Sequence, residues 1–139
     1  MVTREDLESF LLRMEDLEVD EIEEGMYLVR NRGGGPPVVV SHSAPLLLLR
    51  MKVMDLPEDG IANAELFRAL LELNATDVVH GAYGLEEGEL ILSDTLKLET
   101  LDFEELRDSL ESIQLAAADH MQRIRSLAGL GTGSAGGDR

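Results

Sequence analysis

An acidic stretch near the N-terminus contains the first side chains that could do chemistry. Asp16, Glu18 and Asp20 alternate like the first ligands of an EF-hand calcium loop. The glycine position of that loop is Glu21 here, and the twelfth position, which needs a bidentate glutamate, is Tyr27. The pattern therefore favours a solvated acidic connector over a calcium site.

Histidines offer a second chemistry, that of a small hydrolase or a metal-dependent enzyme. Ser41-His42-Ser43 sets two hydroxyls beside an imidazole, but no nucleophile elbow surrounds either serine. His42, His80 and His120 fall on separate predicted elements, so no spacing brings two of them to one acid. Because the chain also has no cysteine, we predict no bound transition metal and no catalytic cofactor. An enzyme that uses His42 and His80 is the least favoured interpretation, and His120 is predicted to be structural.

The glycine-rich segment Gly33-Gly34-Gly35 could suggest a phosphate-binding loop. It lacks the Gly-Lys-Ser/Thr ending of such a loop and does not open a helix. Two prolines follow it, and this composition is typical of a turn between strands. A nucleotide site is not expected.

Composition and charge limit the class of protein. The chain has 139 residues with 44% hydrophobic residues, enough for one core, and we expect a single domain over residues 1–128. A formal charge of -16 would repel nucleic acid and anionic membranes. The N-terminus has no secretion signal and no stretch is apolar for long enough to span a bilayer, so we expect a cytoplasmic protein. Glycine dominates residues 129–139, which are predicted to be a disordered tail.

Hydrophobic periodicity and capping residues predict three helices and five strands. Thr3 and Asp6 form a capping-box pattern before the first helix, and Asp102 with Glu105 forms another before the last. Asn63 is interpreted as the N-cap of the middle helix and Asn74 as its C-terminal residue. The order α-β-β-β-α-β-β-α predicts an α+β fold with an antiparallel sheet of about five strands and helices packed on it. The predicted helices are 4–17, 63–73 and about 103–127, and the predicted strands are 26–30, 38–41, 46–54, 78–83 and 89–93.

The third predicted strand is the longest, and its two faces differ. Period-two alternation assigns one face to the core, formed by Leu47, Leu49, Met51 and Val53. The other face combines apolar side chains with two of the few positive charges, and it consists of Leu46, Leu48, Arg50, Lys52 and Met54. Such a face is either a semi-exposed surface for a partner or another subunit, or ordinary exposed sheet guarded by Arg and Lys. The residues alone leave both readings open.

Three segments carry a resemblance to a known family. They are Leu66-Phe67-Arg68-Ala69-Leu70-Leu71-Glu72-Leu73-Asn74, then Gly84-Leu85-Glu86-Glu87-Gly88-Glu89-Leu90-Ile91-Leu92, then 101–121 with Ala116-Ala117-Ala118-Asp119. Together with the element order, they resemble the YbjN-type and Tir-chaperone domains of the type III secretion chaperone-like superfamily. The resemblance extends from Leu7 to Leu127, and the polyglycine turn is not part of it.

The resemblance implies a non-enzymatic and often dimeric domain that binds extended segments of a protein partner on apolar patches. We therefore expect a protein-binding or peptide-binding module, chaperone-like or a regulatory adaptor, and a homodimer. The alternative is a purely structural homodimer subunit without a peptide ligand. The expected partner surface is the face of Leu46, Leu48, Arg50, Lys52 and Met54, with the helix-one stripe of Leu7, Phe10 and Leu11 as the second choice.

Overall fold

The computed structural model describes residues 1–58 and 60–129. Three helices and six strands follow one another in this part of the chain. The strands form one antiparallel sheet in the order β1-β2-β3-β4-β6-β5, which confirms the predicted α+β class with one strand more than expected. The elements are α1 (Arg4–Leu12), β1 (Leu17–Glu23), β2 (Met26–Asn31), β3 (Val38–Ser43), β4 (Leu46–Asp55), α2 (Gly60–Thr76), β5 (Ala82–Glu86), β6 (Glu89–Lys97) and α3 (Phe103–Leu127).

The first helix begins as predicted but ends early. The Thr3 hydroxyl accepts a hydrogen bond from the backbone of Asp6, and the Asp6 carboxylate accepts one from the backbone of Thr3. This reciprocal capping box satisfies two backbone donors at the start of α1. The helix ends at Leu12 rather than at residue 17, because Leu17 already belongs to the sheet.

The acidic stretch predicted to be a connector is the edge strand β1, so that prediction was wrong. Leu17 and Val19 are half-buried against the core, and the acids of the strand, Glu18, Asp20, Glu21 and Glu23, are exposed. Pairing with β2 satisfies the backbone of β1 along one side, and an edge strand can carry charge on the other. The alternation was hidden because Leu17 also fits the stripe of the preceding helix.

Both asparagines of the middle helix lie inside it rather than at its ends. The helix α2 begins at Gly60 and ends at Thr76. Asn63 Nδ2 donates to the carbonyl of Pro57 at 2.8 Å. Asn74 bonds the backbone of Tyr83 on the neighbouring strand. Asn63 therefore bonds the loop before α2 and Asn74 bonds the strand after it, so neither side chain caps the helix.

The following hairpin begins later than predicted. The strand β5 begins at Ala82, not at residue 78, and follows Gly81, which has a φ of +91°. A Cβ at position 81 would lie 2.5 Å from the carbonyl oxygen of Ser93, so only glycine fits this approach to β6. Glu87 and Gly88 both have positive φ, as a two-residue type I′ turn requires. The turn therefore lies between the two segments predicted to be strands, 78–83 and 89–93.

All three helices pack on one face of the sheet. The last helix matches its prediction, and Asp102 accepts from the backbone of Glu105 at 2.7 Å. Helix residues such as Leu11, Leu66 and Leu110 join the core with the inward side chains of the strands. Those inward residues are Tyr27, Val29, Val38, Val40, Leu47, Leu49, Met51, Leu90 and Leu92. The sheet therefore has one face covered by the helices.

Candidate functional site

The opposite face of the sheet carries an apolar patch outside the helix-covered core. We call it the open face, and it comprises Leu28, Val39, Leu46, Leu48, Arg50, Lys52 and Ile91. Leu28 pairs with Val39, and Val39 pairs with Arg50, so these three side chains form one row across β2, β3 and β4. The surface joins apolar side chains of four strands that belong to separate parts of the sequence.

Strand β4 follows the predicted alternation as far as Lys52. Leu47, Leu49 and Met51 are buried in the core, whereas Leu46 is 36% exposed and Leu48 is half-buried on the open face. This part of the face assignment is confirmed.

A bulge overturns the assignment at the end of the strand. The register with β6 shifts between Lys52 and Met54, so that Met54 pairs with Leu90 and is only 8% exposed within the core. The prediction that Met54 faces outward with Lys52 was wrong, because an extra residue in one strand reverses the alternation after it. Val53 is partly buried against the core.

The two positive charges of the open face are already paired within the chain. Arg50 lies 3.2 Å from a carboxylate oxygen of Glu86, and Lys52 Nζ lies 3.0 Å from both Asp55 and Glu89. The hydrogen bonds to Asp55 and Glu89 raise the pKa of Lys52. All of these groups are substantially exposed, so the pairs contribute little to stability and can be exchanged for others. An acidic partner would therefore compete with these internal carboxylates.

The second-choice surface on helix one lies mostly in the core. Leu7 and Leu11 are fully buried, and Phe10 packs edge-on against Phe103 with ring centroids 6.2 Å apart. Arg13 covers the same Phe103 ring at 3.8 Å. The stripe is thus occupied by α3 and the sheet, and in this conformation Leu7 and Leu11 offer no surface to a partner.

A second apolar surface lies between α2 and β5 and was not predicted. A cavity of about 250 Å³ opens there, lined mainly by Phe67, Leu70, Tyr83 and Leu90. Leu71 and Leu85 flank it with 69% and 52% of their surfaces exposed. The apolar residues of α2 extend around the helix as far as Leu71, which is wider than one packing face can cover. This width is the feature of the sequence that could have predicted the second surface.

His42 lies apart from the other two histidines, whereas His80 and His120 line one surface pocket beside α3. His42 Nε2 bonds the carbonyl of Val2 at 2.9 Å, and because a carbonyl only accepts, this nitrogen carries the proton. The backbone of His80 exchanges hydrogen bonds with Ser112. His120 is buried and lies within hydrogen-bonding distance of Tyr83 and Asp77, as expected of a structural histidine. His42 and His80, the pair named in the hydrolase hypothesis, hydrogen-bond different parts of the chain.

Over residues 1–58 and 60–129, no group of three or more metal-ligating side chains is placed so that it could hold a metal ion. Of the three acidic side chains that resemble the start of a calcium loop, Glu18 and Asp20 lie in the extended strand β1 and Asp16 directly precedes it. In the same part of the chain, no helix combines the length and apolar character needed to cross a membrane.

Comparison with known proteins gives one family and a set of solved structures. The family model CesT_Tir_1, of the type III secretion chaperones, matches residues 2–129. A chain of the heterodimeric ExoU-SpcU complex from the type III secretion system of Pseudomonas aeruginosa has a TM-score of 0.64 at 14% identity, covering 86% of this chain and 95% of that one. YbjN from E. coli has a TM-score of 0.59 at 14% identity, covering 85% and 90%.

A third similar structure is a chain of the ExoT-SpcS complex from Pseudomonas aeruginosa, with a TM-score of 0.56 at 23% identity, covering 80% of this chain and 90% of that one. No curated protein matches the sequence significantly. At these identities the structural likeness concerns the fold, and it agrees with the element order described above.

Proposed function

The chain belongs to the CesT_Tir_1 family, and we propose that it is a non-enzymatic, chaperone-like or regulatory protein that binds an extended segment of a protein partner. The observation that carries the proposal is the open face, where apolar side chains from four strands remain outside the helix-covered core. Two of the similar structures, ExoU-SpcU and HopA1-SchA, are complexes of two different proteins, the second a chaperone with its effector. Their architecture supports a protein partner for this chain.

The chemistry of the open face suits an extended polypeptide. Leu46, Leu48 and Val39 present separate apolar contacts on a pleated surface, and their burial stabilises a complex by about 25 cal/mol per Å² before ordering costs. Arg50 and Lys52 lie among them, with their charges balanced by exposed carboxylates. Carboxylates of a partner can replace Glu86 or Glu89 at little cost, since exposed ion pairs are weak. We therefore propose a partner segment that alternates apolar and acidic side chains.

Site-specific cross-linking tests the location of the partner. A photo-reactive amino acid at position 48, on the open face, is compared with one at position 115, where the exposed Leu115 lies on α3. We expect the amino acid at position 48 to cross-link one discrete segment of a single cellular protein, which mass spectrometry identifies. The amino acid at position 115 should form no such cross-link. Cross-links only from position 115 would place the partner elsewhere.

A binding measurement with the identified segment then tests the residues. Leu46→Ser combined with Leu48→Ser should weaken binding by at least about fivefold, which corresponds to about 1 kcal/mol. The matched control is Leu12→Ser combined with Leu115→Ser, two exposed leucines outside the face. Equal affinities for the two double variants would contradict the proposed surface.

The homodimer proposal is supported by a separate surface. Leu71 and Leu85 expose large apolar areas beside the cavity between α2 and β5, and such a patch is typical of a subunit contact. Light scattering at micromolar concentration should give twice the monomer mass, and Leu71→Glu should reduce it to the monomer. A monomer mass for the unmodified protein would refute this proposal and leave the partner proposal standing.

A further inference from the structure

A side chain of α2 closes the free edge of β5. The backbone N–H of Tyr83 donates to Asn74 Oδ1 at 2.7 Å, and Asn74 Nδ2 donates to the carbonyl of Tyr83 at 3.2 Å. The two bonds run in opposite directions, as they do between a hydrogen-bonded pair of residues in an antiparallel ladder. The amide of Asn74 thus takes the place of a residue from another strand.

The register identifies which backbone groups of β5 face this edge. β5 is the last strand of the sheet, so it pairs with β6 along one side only. The two-residue turn makes Glu86 and Glu89 a hydrogen-bonded pair, and alternate residues of β5 then point to opposite edges. Tyr83 and Leu85, which are not at the ends of β5, are therefore the residues whose backbone N–H and C=O groups point away from β6.

The surroundings of this edge would favour a docked strand. Leu71 and Leu85 are exposed beside an apolar cavity, and an incoming strand would bury them while it paired with the backbone of β5. An exposed edge with an apolar flank is a template for pairing with another chain. The amide of Asn74 occupies the hydrogen-bonding position at Tyr83 that such a strand needs.

We infer that Asn74 is an edge-strand plug, which prevents β5 from accepting a strand from another polypeptide, above all from β5 of a second copy. The inference is independent of the open face, because it concerns main-chain pairing at the edge of the sheet. It also implies that a dimer formed through Leu71 is held by side chains and not by a continuous sheet across two copies.

Replacing Asn74 by Ala tests the plug. The matched control is Asn63→Ala on the same helix, where the side chain bonds the carbonyl of Pro57 and not β5 among the described residues. In Asn74→Ala, amide hydrogen exchange at Tyr83 should become about tenfold faster in dilute solution, since one backbone hydrogen bond is lost. Across a dilution series the average mass from light scattering should stay above that of the unmodified protein, because main-chain pairing strengthens association through the same surface. Asn63→Ala should show neither change.

A second substitution separates edge pairing from loss of structure. Leu85→Pro removes the other edge-facing N–H and leaves the pairing with β6 intact, as proline on an outer edge does. Added to Asn74→Ala, it should return the mass to that of the unmodified protein. If Asn74→Ala does not fold, Asn74→Ser replaces it, because the serine side chain is one bond too short to bridge the N–H and the carbonyl of Tyr83. A folded variant whose mass equals that of the unmodified protein at all concentrations would overturn the plug and leave Asn74 a structural residue.

Discussion

The hydroxyl of Tyr83 lies 2.9 Å from Nδ1 of His120, and the two residues join β5 to α3 inside the protein. The other ring nitrogen, Nε2, lies 3.3 Å from a carboxylate oxygen of Asp77. A carboxylate only accepts, so Nε2 carries a proton and, in the neutral ring, Nδ1 accepts from Tyr83. Tyr83 and Asp77 together satisfy the hydrogen-bonding groups of the buried His120 ring, and without Tyr83 its Nδ1 would have no partner.

Removing the Tyr83 hydroxyl should therefore destabilise the fold. In Tyr83→Phe, the buried Nδ1 of His120 loses its partner, and an unsatisfied buried polar atom costs about 1–3 kcal/mol in the free energy of unfolding. Urea denaturation measures the change. The control His80→Ala alters an exposed side chain and should stay within about 0.5 kcal/mol. A Tyr83→Phe variant as stable as this control would show that the hydrogen bond contributes nothing.

Both tyrosines of the chain should resist ionisation in the folded protein. Burial raises the pKa of Tyr83, and burial together with the hydrogen bond to Glu8 raises the pKa of Tyr27, both above the ordinary value of 10.0. Because the pKa of each hydroxyl is higher in the folded protein than in the unfolded protein, the neutral hydroxyls contribute their full stabilisation below about pH 10. This contribution is lost as the pH rises through the folded-state pKa values.

Ultraviolet absorbance of tyrosinate against pH measures this effect. We expect no ionisation at pH 10 while the far-ultraviolet circular dichroism is native, and ionisation of both residues together with unfolding at higher pH. A model peptide that contains tyrosine is the control and should be half ionised near pH 10. Native circular dichroism with half of the tyrosines ionised at pH 10 would contradict the prediction.

Helices and strands were predicted correctly from the sequence where their apolar residues follow a single hydrophobic periodicity. The helix α3 has a continuous apolar stripe and a capping aspartate, and both its ends were predicted correctly. The strand β1 was missed because Leu17 fits two periods at once. The bulge after Lys52 was missed because it depends on pairing with β6, which lies more than thirty residues away in the chain. Local periodicity contains no information on such a pairing.

The same reasoning explains what was missed in the candidate site. Leu46 and Leu48 were assigned correctly, since alternation alone decides their face. The prediction that Leu7 and Leu11 form a partner surface is wrong, because both are fully buried and an apolar helix stripe does not show which element will cover it. Asn74 was interpreted as a helix end, and its contact with Tyr83 could be seen only in three dimensions.

The two faces of β4 should respond oppositely to polar substitution. Leu46→Ser with Leu48→Ser changes half-buried or exposed side chains of the open face, so the protein should remain folded. Leu47→Ser with Leu49→Ser is the matched pair one residue along, and both of its leucines are fully buried. Each buried leucine lost costs at least about 2 kcal/mol, so this second variant should unfold or lose most of its stability. Thermal unfolding by circular dichroism distinguishes the two, and equal losses would mean that the open face is covered.

The chain after Gly129 is predicted to be dispensable for stability. Residues 130–139 lie outside the described residues, and their composition offers few apolar side chains to offset the entropy of ordering. The preceding Ala128 is buried, so truncation should follow Gly129 and no earlier residue. The melting temperature of the truncated protein should stay within about 4 °C of the full chain, which for a domain of this size is about 1 kcal/mol. A larger fall would show that the tail docks on the domain.

Two glycines of the β5 hairpin should differ sharply when each is replaced by alanine. Gly81 has a φ of +91°, and a Cβ there would lie 2.5 Å from the backbone oxygen of Ser93, so Gly81→Ala must both strain the backbone and displace β6. Such a site costs about 1–3 kcal/mol for the backbone strain alone. Gly84 is the matched control three residues later, where a Cβ would meet nothing within 4 Å. Gly84→Ala should leave the free energy of unfolding within about 1 kcal/mol, because alanine also restricts the unfolded chain. Equal stabilities of the two variants in urea would mean that the loop before β5 can relax, and that the close approach of Gly81 to Ser93 does not determine where the strand begins.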